Sequence, residues 1–269
     1  RMIEVPLTWQ LAKLGLSISM VLGLGAIAVR ASPRMAGLLA GYPLGTALAL
    51  FFIGLEISPQ FATQSAVHTL AGFTATMALG AGYWMAGRQP GVKGVIGGVA
   101  GGLVAWLAVS TLLAQFNFTR LSGTLVTLCA IALFSGLFRS ITDVRIPASR
   151  TFSLPALAAR AALATVIIFT ITSLAHWLPP AWAGTLAAFP VTMLPFLLIL
   201  HLNHGAAPVA TVIKHYPMGL GSLLSYTLCV SYTYSTLGLL WGTLVGFAAA
   251  TLWLLGWMQL IAWYQRRTA

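Results

Sequence analysis

The sequence has 269 residues, of which 59% are hydrophobic and only 6% are charged. Its 14 lysines and arginines oppose 3 acidic residues, which gives a formal net charge of +11. This composition excludes an ordinary soluble globular domain. Most of the basic residues stand in short segments between apolar runs, where they indicate membrane topology rather than a nucleic-acid-binding surface. We therefore expect an all-α, polytopic membrane protein with no nucleic-acid partner.

Nine apolar runs are long enough to cross a bilayer, which takes about 20 residues each. Short breaker segments such as Ala31–Arg34 and Arg88–Gly91 separate them. The chain is thus predicted to form a bundle of nine spans. Their predicted limits are 7–29, 35–56, 62–86, 92–115, 121–138, 155–177, 182–202, 208–232 and 236–263.

The distribution of basic residues predicts the orientation of the bundle. If the N-terminus faces outward, the outer connections contain only Arg1 and Arg120. Basic residues near the ends of spans resist translocation, so we expect the N-terminus outside and the C-terminus in the cytoplasm. The inner side then holds Arg30, Arg34, Arg88, Lys93, Arg139, Arg145, Arg150, Arg266 and Arg267.

The segment Ala36–Pro43 recurs 147 positions later as Ala183–Pro190. Shared apolar composition does not explain a basic residue, a proline, a histidine and a tryptophan in one register, so the sequence predicts an internal duplication. Repeat 1 covers residues 1–118 with spans one to four, a connector with span five covers 119–150, and repeat 2 covers 151–269 with spans six to nine. The same ungapped shift pairs Lys13 with Arg160, Leu50 with Leu197, Leu55 with Leu202, His68 with His215, Gly72 with Gly219 and Trp106 with Trp253.

The number of crossings between equivalent spans predicts the relation between the two repeats. Five crossings separate each span of the first copy from its equivalent in the second, and an odd number inverts the second copy. Span five has no equivalent and is interpreted as the connector that permits the inversion. Inverted repeats related by an axis in the membrane plane are typical of secondary transporters.

The string Ala36-Gly37-Leu38, followed by Tyr42-Pro43 and Gly54, resembles the GlpM-like small inner-membrane proteins of bacteria. The second copy differs, with Thr185 for the third residue and His201 in place of Gly54. The resemblance implies that each repeat corresponds to one four-helix unit of that family. It also implies a bacterial inner-membrane location and a connection with exopolysaccharide production, but no established chemistry.

Prolines interrupt spans two and seven at equivalent positions. Pro43 and Pro190 each free a carbonyl and kink or break their helix. Paired interruptions in two halves point to a binding site near the middle of the membrane, although the helices could also merely bend. The predicted substrate-binding residues are Tyr42, Pro43, Thr46, Phe189, Pro190 and Thr192, with Arg160 and Lys214 as cations for an anionic solute.

Ionisable or polar residues form a layer near each end of the bundle. Lys13 and Glu56 are predicted to pair near the outer face, whereas Asn203 replaces the acid in the inner layer. We therefore expect Arg160 and Lys214 to lack an acidic partner and to face a cavity that favours an anion. The alternative is that Lys13, Arg160 and Lys214 snorkel to lipid headgroups. The residues predicted to gate the pathway or carry a coupled proton are Lys13, Glu56, His68, Asn203 and His215.

Glycines recur every fourth residue on spans four and nine, which predicts helix faces that pack closely. These faces could join the repeats or form a homodimer. They are Gly94, Gly98 and Gly102, and Gly238, Gly242 and Gly246.

No nucleotide-binding loop, paired-carboxylate motif or nucleophile set is present, and His201 with His204 is too sparse for a metal site. We expect neither an enzyme nor a cofactor, but a secondary transporter or exporter of a small anionic solute. The alternative is a membrane scaffold of an envelope polysaccharide system. A polar cavity reached by both proline breaks favours transport, whereas a dry interior with an exposed glycine face favours the scaffold.

Overall fold

The computed structural model describes residues 6–28, 42–144 and 154–268. Within these residues there are ten α-helices, one 3-10 turn at Phe138–Ser140 and no strand. The predicted all-α class is confirmed. The helices are α1 (Leu7–Ala28), α2 (Leu44–Glu56), α3 (Pro59–Ala86), α4 (Gly91–Leu113), α5 (Arg120–Leu137), α6 (Leu154–Ala175), α7 (Pro180–Ala187), α8 (Met193–His204), α9 (Ala206–Leu237) and α10 (Leu239–Thr268).

The helices begin and end close to the predicted limits, with one difference at span seven. The predicted span 182–202 is two helices, α7 and α8, separated by residues 188–192. Pro190 lies in this interruption, because proline has no N–H to donate and its ring clashes with the preceding turn. In the first copy α2 begins directly after Pro43, while residues 35–41 of span two lie outside the described residues.

Among the described residues, four helices are long and apolar enough to cross a membrane, namely α4, α5 with its 3-10 turn, α6 and α10 up to Leu260. Helices α3 and α9, with 28 and 32 residues, are not among these four. They occupy the centre of the bundle, contacting each other and several further helices, so they need no continuous lipid-facing surface. Helices α2 and α8 have only 13 and 12 residues, or about 20 Å of rise, and neither could cross alone.

Some helix limits are separated by 147 residues, the shift of the predicted duplication. Helix α1 spans Leu7–Ala28 and α6 spans Leu154–Ala175, so both ends are shifted by 147 positions. Helix α3 begins at Pro59 and α9 at Ala206, again 147 positions apart. The inverted repeat itself stays a prediction.

Contacts at the start of α5 show which ends of α3 and α9 lie together. Arg120 donates hydrogen bonds to Ser231 near the end of α9, from Nη2 to the carbonyl oxygen at 2.6 Å and from Nε to Oγ at 3.1 Å. Just before α5, the ring of Phe118 lies 6.4 Å from that of His68, near the start of α3. The start of α3 and the end of α9 thus share one side of the bundle.

Contacts at the end of α5 define the opposite side. The ring of Phe138 lies 6.1 Å from that of Trp84 near the end of α3. Val144 donates its backbone N–H to Thr211 Oγ1 near the start of α9, at 3.0 Å. Helices α3 and α9, which the sequence predicts to be equivalent, therefore run in opposite directions.

Two apolar clusters fill the interior. One includes the second half of α3, the first half of α9 and much of α8, with Tyr83 and Leu200 among its buried members. The other includes α2, the start of α3, the end of α9 and much of α6, with Phe52 and Ile168 buried. Each cluster thus occupies one end of the antiparallel α3–α9 pair.

The predicted glycine faces contact different neighbours. A Cβ atom added to Gly98 of α4 would lie 2.7 Å from the ring of Tyr83 on α3. A Cβ atom added to Gly246 of α10 would lie 2.8 Å from the ring of Tyr226 on α9. A Cβ atom added to Gly94 would lie 2.7 Å from His201 Nε2 on α8, whereas Gly238 is exposed with open space beside it.

Candidate functional site

The segments around Pro43 and Pro190, called the two proline breaks after the predicted interruptions of spans two and seven, have the same local geometry. The carbonyl of Pro43 accepts from the N–H of Ala47 at 2.8 Å, and the carbonyl of Pro190 accepts from the N–H of Leu194 at 2.9 Å. Each break thus starts a short helix in the same way. The preceding tight turn is repeated as well, with Leu44 N–H donating to Tyr42 O at 2.8 Å and Val191 N–H to Phe189 O at 2.8 Å.

The breaks meet face to face at the centre of the bundle. A Cβ atom added to Gly45 would lie 2.7 Å from Cβ of Val191, so only glycine allows this approach. Beside the contact lies a cavity of about 10 Å³ with a mainly polar surface, which is room for about one water molecule. Five predicted substrate-binding residues line it together with Tyr216 of α9, namely Tyr42, Thr46, Phe189, Pro190 and Thr192.

Each break also contacts the last helix of the other copy. The ring of Tyr42 stacks on Phe247 of α10 at 6.0 Å, and its hydroxyl lies 2.9 Å from Thr251 Oγ1. In the reverse direction, the ring of Phe189 meets Trp106 of α4 edge-on at 5.3 Å. Reciprocal contacts of this kind are those that two-fold related units make.

Hydroxyl groups of α3 satisfy the backbone at the second break. Thr76 Oγ1 donates to the carbonyl of Ala188 at 2.5 Å, and Thr69 Oγ1 donates to the carbonyl of Gly184 at 2.8 Å. Threonine side chains commonly complete the hydrogen bonding of interrupted membrane helices. The break is therefore held by its neighbours.

A buried ion pair closes the end of the bundle nearest the start of α3. Lys13 of α1 pairs with Glu56 at the end of α2, as predicted, and both side chains are buried. Lys13 Nζ also donates to Thr172 Oγ1 of α6 at 2.7 Å. His176 Nε2 lies 3.1 Å from the second carboxylate oxygen of Glu56. This cluster of four residues, called the outer cluster below, joins the first copy to the second.

Arg160 is the buried cation of the second copy. It is 5% exposed, and its guanidinium lies 4.7 Å from the ring centre of Phe196 on α8. Among the described residues, its Nε and Nη1 atoms have no hydrogen-bond partner. Asn203, the equivalent of Glu56, is exposed. Arg160 thus lacks an acidic partner in the described structure, as expected.

Lys214 differs from the expectation that it has no acidic partner. Its ammonium donates to the carbonyl of Ile141 at 2.6 Å and lies 3.3 Å from Asp143 Oδ2. His215 Nε2 lies 2.9 Å from Asp143 Oδ1. Desolvation raises the pKa of Asp143. Hydrogen bonds with His215 and Lys214 lower this pKa by more, so that it lies below its ordinary value. Lys214 and His215 therefore belong to a second cluster with Asp143, here called the inner cluster, and do not line the central cavity.

Two further histidines, His68 and His201, contact neighbouring helices or loops. His68 packs edge-on against Phe118 and does not join the outer cluster. His201 Nε2 lies 3.0 Å from the carbonyl of Gln89, and Nδ1 lies 3.1 Å from the Tyr83 hydroxyl. Because a carbonyl only accepts, Nε2 carries the hydrogen, and a neutral ring accepts from Tyr83. The described part of the chain contains no group of three or more potential metal-ligating side chains.

Comparison of the chain with protein-family models, curated proteins and solved structures gives no significant match. The resemblance to GlpM-like proteins stays a prediction.

Proposed function

We propose that the chain is a secondary transporter or exporter of a small anionic solute, which works by alternating access between two inverted four-helix repeats. One observation carries the proposal: Tyr42 and Thr46 beside Pro43 line one small polar cavity together with Phe189, Pro190 and Thr192. Interrupted backbone at membrane depth is tolerated only against protein or a water-filled space. With room for about one water molecule, this conformation is closed around the site, which must widen to admit a solute.

The orientation of equivalent helices supports the inversion. Helices α3 and α9 start 147 positions apart and run in opposite directions. Tyr42 and Phe189 each contact the last helix of the other copy. In the proposed topology nine spans cross a bacterial inner membrane, with the N-terminus outside and the connector helix α5 reversing the second copy.

In this proposal, two acidic residues control access to the central cavity from opposite sides of the membrane. Glu56 holds Lys13 and His176 at the outer end, and Asp143 holds Lys214 and His215 at the inner end. Each carboxylate thus binds one lysine and one histidine. Protonation of Glu56 would remove the charge that holds Lys13, so a proton entering from outside would release α1 from α2 and open the outer side.

Arg160 supplies the preference for an anion. Its contact residue Phe196 follows Thr192 of the central cavity by four residues on α8, which is about one helical turn. A buried guanidinium without a partner is strongly unfavourable, and a bound anion would supply the missing acceptors. In this proposal the solute contacts Arg160 on the inner side and the threonines of both breaks at the centre.

The scaffold alternative required a dry interior and an exposed glycine face. The described structure has a polar cavity at the breaks, and aromatic side chains cover Gly98 and Gly246. Both features favour transport over the scaffold.

The proposal is tested by comparing metabolites in a bacterial host that expresses the wild type or the double variant Thr46→Val, Thr192→Val. These substitutions keep side-chain volume and remove two hydroxyls that line the cavity. A transporter changes the cellular level of at least one small anion in the wild type only. The control is Thr111→Val, because Thr111 is exposed and bonds only carbonyls of its own helix.

Identical metabolite profiles in the wild type, the double variant and an empty-vector strain would contradict transport. Equal expression in the membrane fraction must accompany the comparison. A changed profile that the double variant retains would assign the activity to another part of the chain.

A further inference from the structure

A second cavity, of about 540 Å³, lies between the connector helix α5 and the pair α9–α10. It shares no lining residue with the central cavity. Helix α9 contacts both α5 and α10, so it forms the floor of a groove whose walls are the other two helices. The volume falls within the range of binding sites for small organic ligands.

The lining of the groove is mainly apolar. The hydroxyl of Thr124 donates to the carbonyl of Arg120 at 2.7 Å, and that of Ser225 donates to the carbonyl of Gly221 at 2.8 Å. Both hydroxyls are thus used within their own helices. On the α10 wall, the rings of Trp253 and Trp257 stack at 5.6 Å with an angle of 10°. A polar solute would find few partners here.

Hydrogen bonds keep the groove open. In the middle of α5, Thr127 Oγ1 donates to the carbonyl of Leu70 on α3 at 2.5 Å, which draws α5 towards α3. At the start of α5 Arg120 donates to the carbonyl of Ser231 on α9, and beyond its end the carbonyl of Ile141 accepts from Lys214 of α9. The groove lies between these two hydrogen-bonded ends.

The shape of the groove fits an extended chain. Its lining runs from Thr124 to Ser135 on α5, a rise of about 16 Å along the helix axis. Leu128 lines the groove and is also 49% exposed, so the groove opens sideways. The opening lies beside α5 and α10, two of the four helices apolar enough to cross a membrane. In a bilayer this opening faces lipid tails.

We propose that the groove binds one acyl chain of a membrane lipid, lying along α5. Water is excluded by the apolar lining, and an empty apolar space beside lipid tails would be filled by one of them. The polar end of the lipid lies near Trp257, whose buried Nε1 has no hydrogen-bond partner among the described residues. The proposal requires insertion in a membrane and does not depend on transport.

The test uses purified protein reconstituted with a phospholipid that carries a photoactivatable diazirine on its acyl chain. Cross-linked positions are mapped by mass spectrometry while unlabelled lipid is added in increasing excess. Labelling of the groove faces of α5 and α9 should persist at an excess that abolishes labelling of Val104 and Leu107, which are exposed on α4.

The variant Ser225→Phe places a ring in the groove and should lower this persistent labelling at least five-fold. Ser235→Phe adds the same ring to an exposed position of α9 and should leave the labelling unchanged. If Ser225→Phe does not fold, Ile131→Trp fills the groove from α5 instead. Equal dilution of groove and α4 labelling, or unchanged labelling in the filled variants, would show surrounding lipid only and overturn the proposal.

Discussion

Glu56 is the residue on which proton coupling should depend, because it is the acid of the outer cluster. In reconstituted vesicles, Glu56→Gln should abolish the dependence of solute flux on a pH gradient. It also leaves Lys13 buried without its counter-charge, and we expect a loss of about 3–5 kcal/mol of stability.

The double variant Lys13→Met, Glu56→Gln separates the two effects. It removes both charges, so stability should recover while coupling stays lost, as measured by thermal unfolding and by flux. Coupling that survives in either variant would exclude Glu56 from the mechanism.

Arg160 and Lys214 are a matched pair of cations: within the described ranges Lys214 has an acidic partner and Arg160 has none. Arg160→Met should weaken anion binding and raise the stability of the unliganded protein by about 1–4 kcal/mol, since a buried charge without a partner disappears. Lys214→Met should leave anion affinity unchanged and lower stability, since it breaks the inner cluster. Thermal unfolding with increasing concentrations of simple anions measures both quantities. Undiminished affinity in Arg160→Met would leave Arg160 only a structural role.

The lowered pKa of Asp143 predicts how the stability of the protein changes at acidic pH. Its pKa is lowered in the folded protein by hydrogen bonds with His215 and Lys214, which outweigh desolvation. The stabilisation is therefore complete above the ordinary pKa of aspartate, about 4, and is lost as the pH falls through the lower folded value. Asp143→Asn should lower the melting temperature near neutral pH and remove part of the acid sensitivity below pH about 4. Parallel pH profiles of the two proteins would contradict this contact.

At the scale of single residues, the sequence predicted pairs of opposite charge at similar depth within spans, and Lys13 with Glu56 is such a pair. It missed His176, which aligns with Val29 of the first copy and so had no support from the repeat. It also missed the partner of Lys214, because Asp143 lies in the connector and only tertiary packing brings it to α9.

At the scale of helices, the break between α7 and α8 depends on a neighbour. Thr76→Val should leave the buried carbonyl of Ala188 without its donor from α3 and cost about 1–3 kcal/mol. Thr111→Val, at an exposed position of α4, should change stability by no more than about 0.5 kcal/mol. Denaturant or thermal unfolding of both variants in one detergent checks the difference. Equal effects would mean that Thr76 does not hold the break.

Helix limits were predictable because apolar runs and Gly or Pro clusters alternate along the chain. Pro190 predicted that span seven is interrupted. It did not predict the length of the interruption, which is the five residues between α7 and α8. The sequence could not show that Gly45 and Val191 touch, because this contact depends on how the two copies pack. The groove between α5 and α9 could not be predicted from the repeat either, because span five has no equivalent in it.

At the scale of the whole molecule, the repeat and the odd number of intervening spans predicted two copies facing opposite ways. Helices α3 and α9 run antiparallel, while the inversion of the two four-helix units stays a prediction. Helix α5 packs closely on α3 and leaves a groove on α9, so the connector itself breaks the symmetry between the copies. The acidic residues are unequal as well, since Glu56 has Asn203 as its equivalent.

The inversion is tested most directly by labelling one pair of equivalent positions. Gln60 at the start of α3 and Ala207 at the start of α9 are both exposed and lie 147 positions apart. Each is replaced by cysteine after Cys129 and Cys229 are changed to serine, and a membrane-impermeant maleimide is applied to intact spheroplasts and to inverted vesicles. We predict labelling of Gln60→Cys only from outside and of Ala207→Cys only from inside. Labelling of both cysteines from the same face would contradict the inverted repeat and the transport proposal built on it.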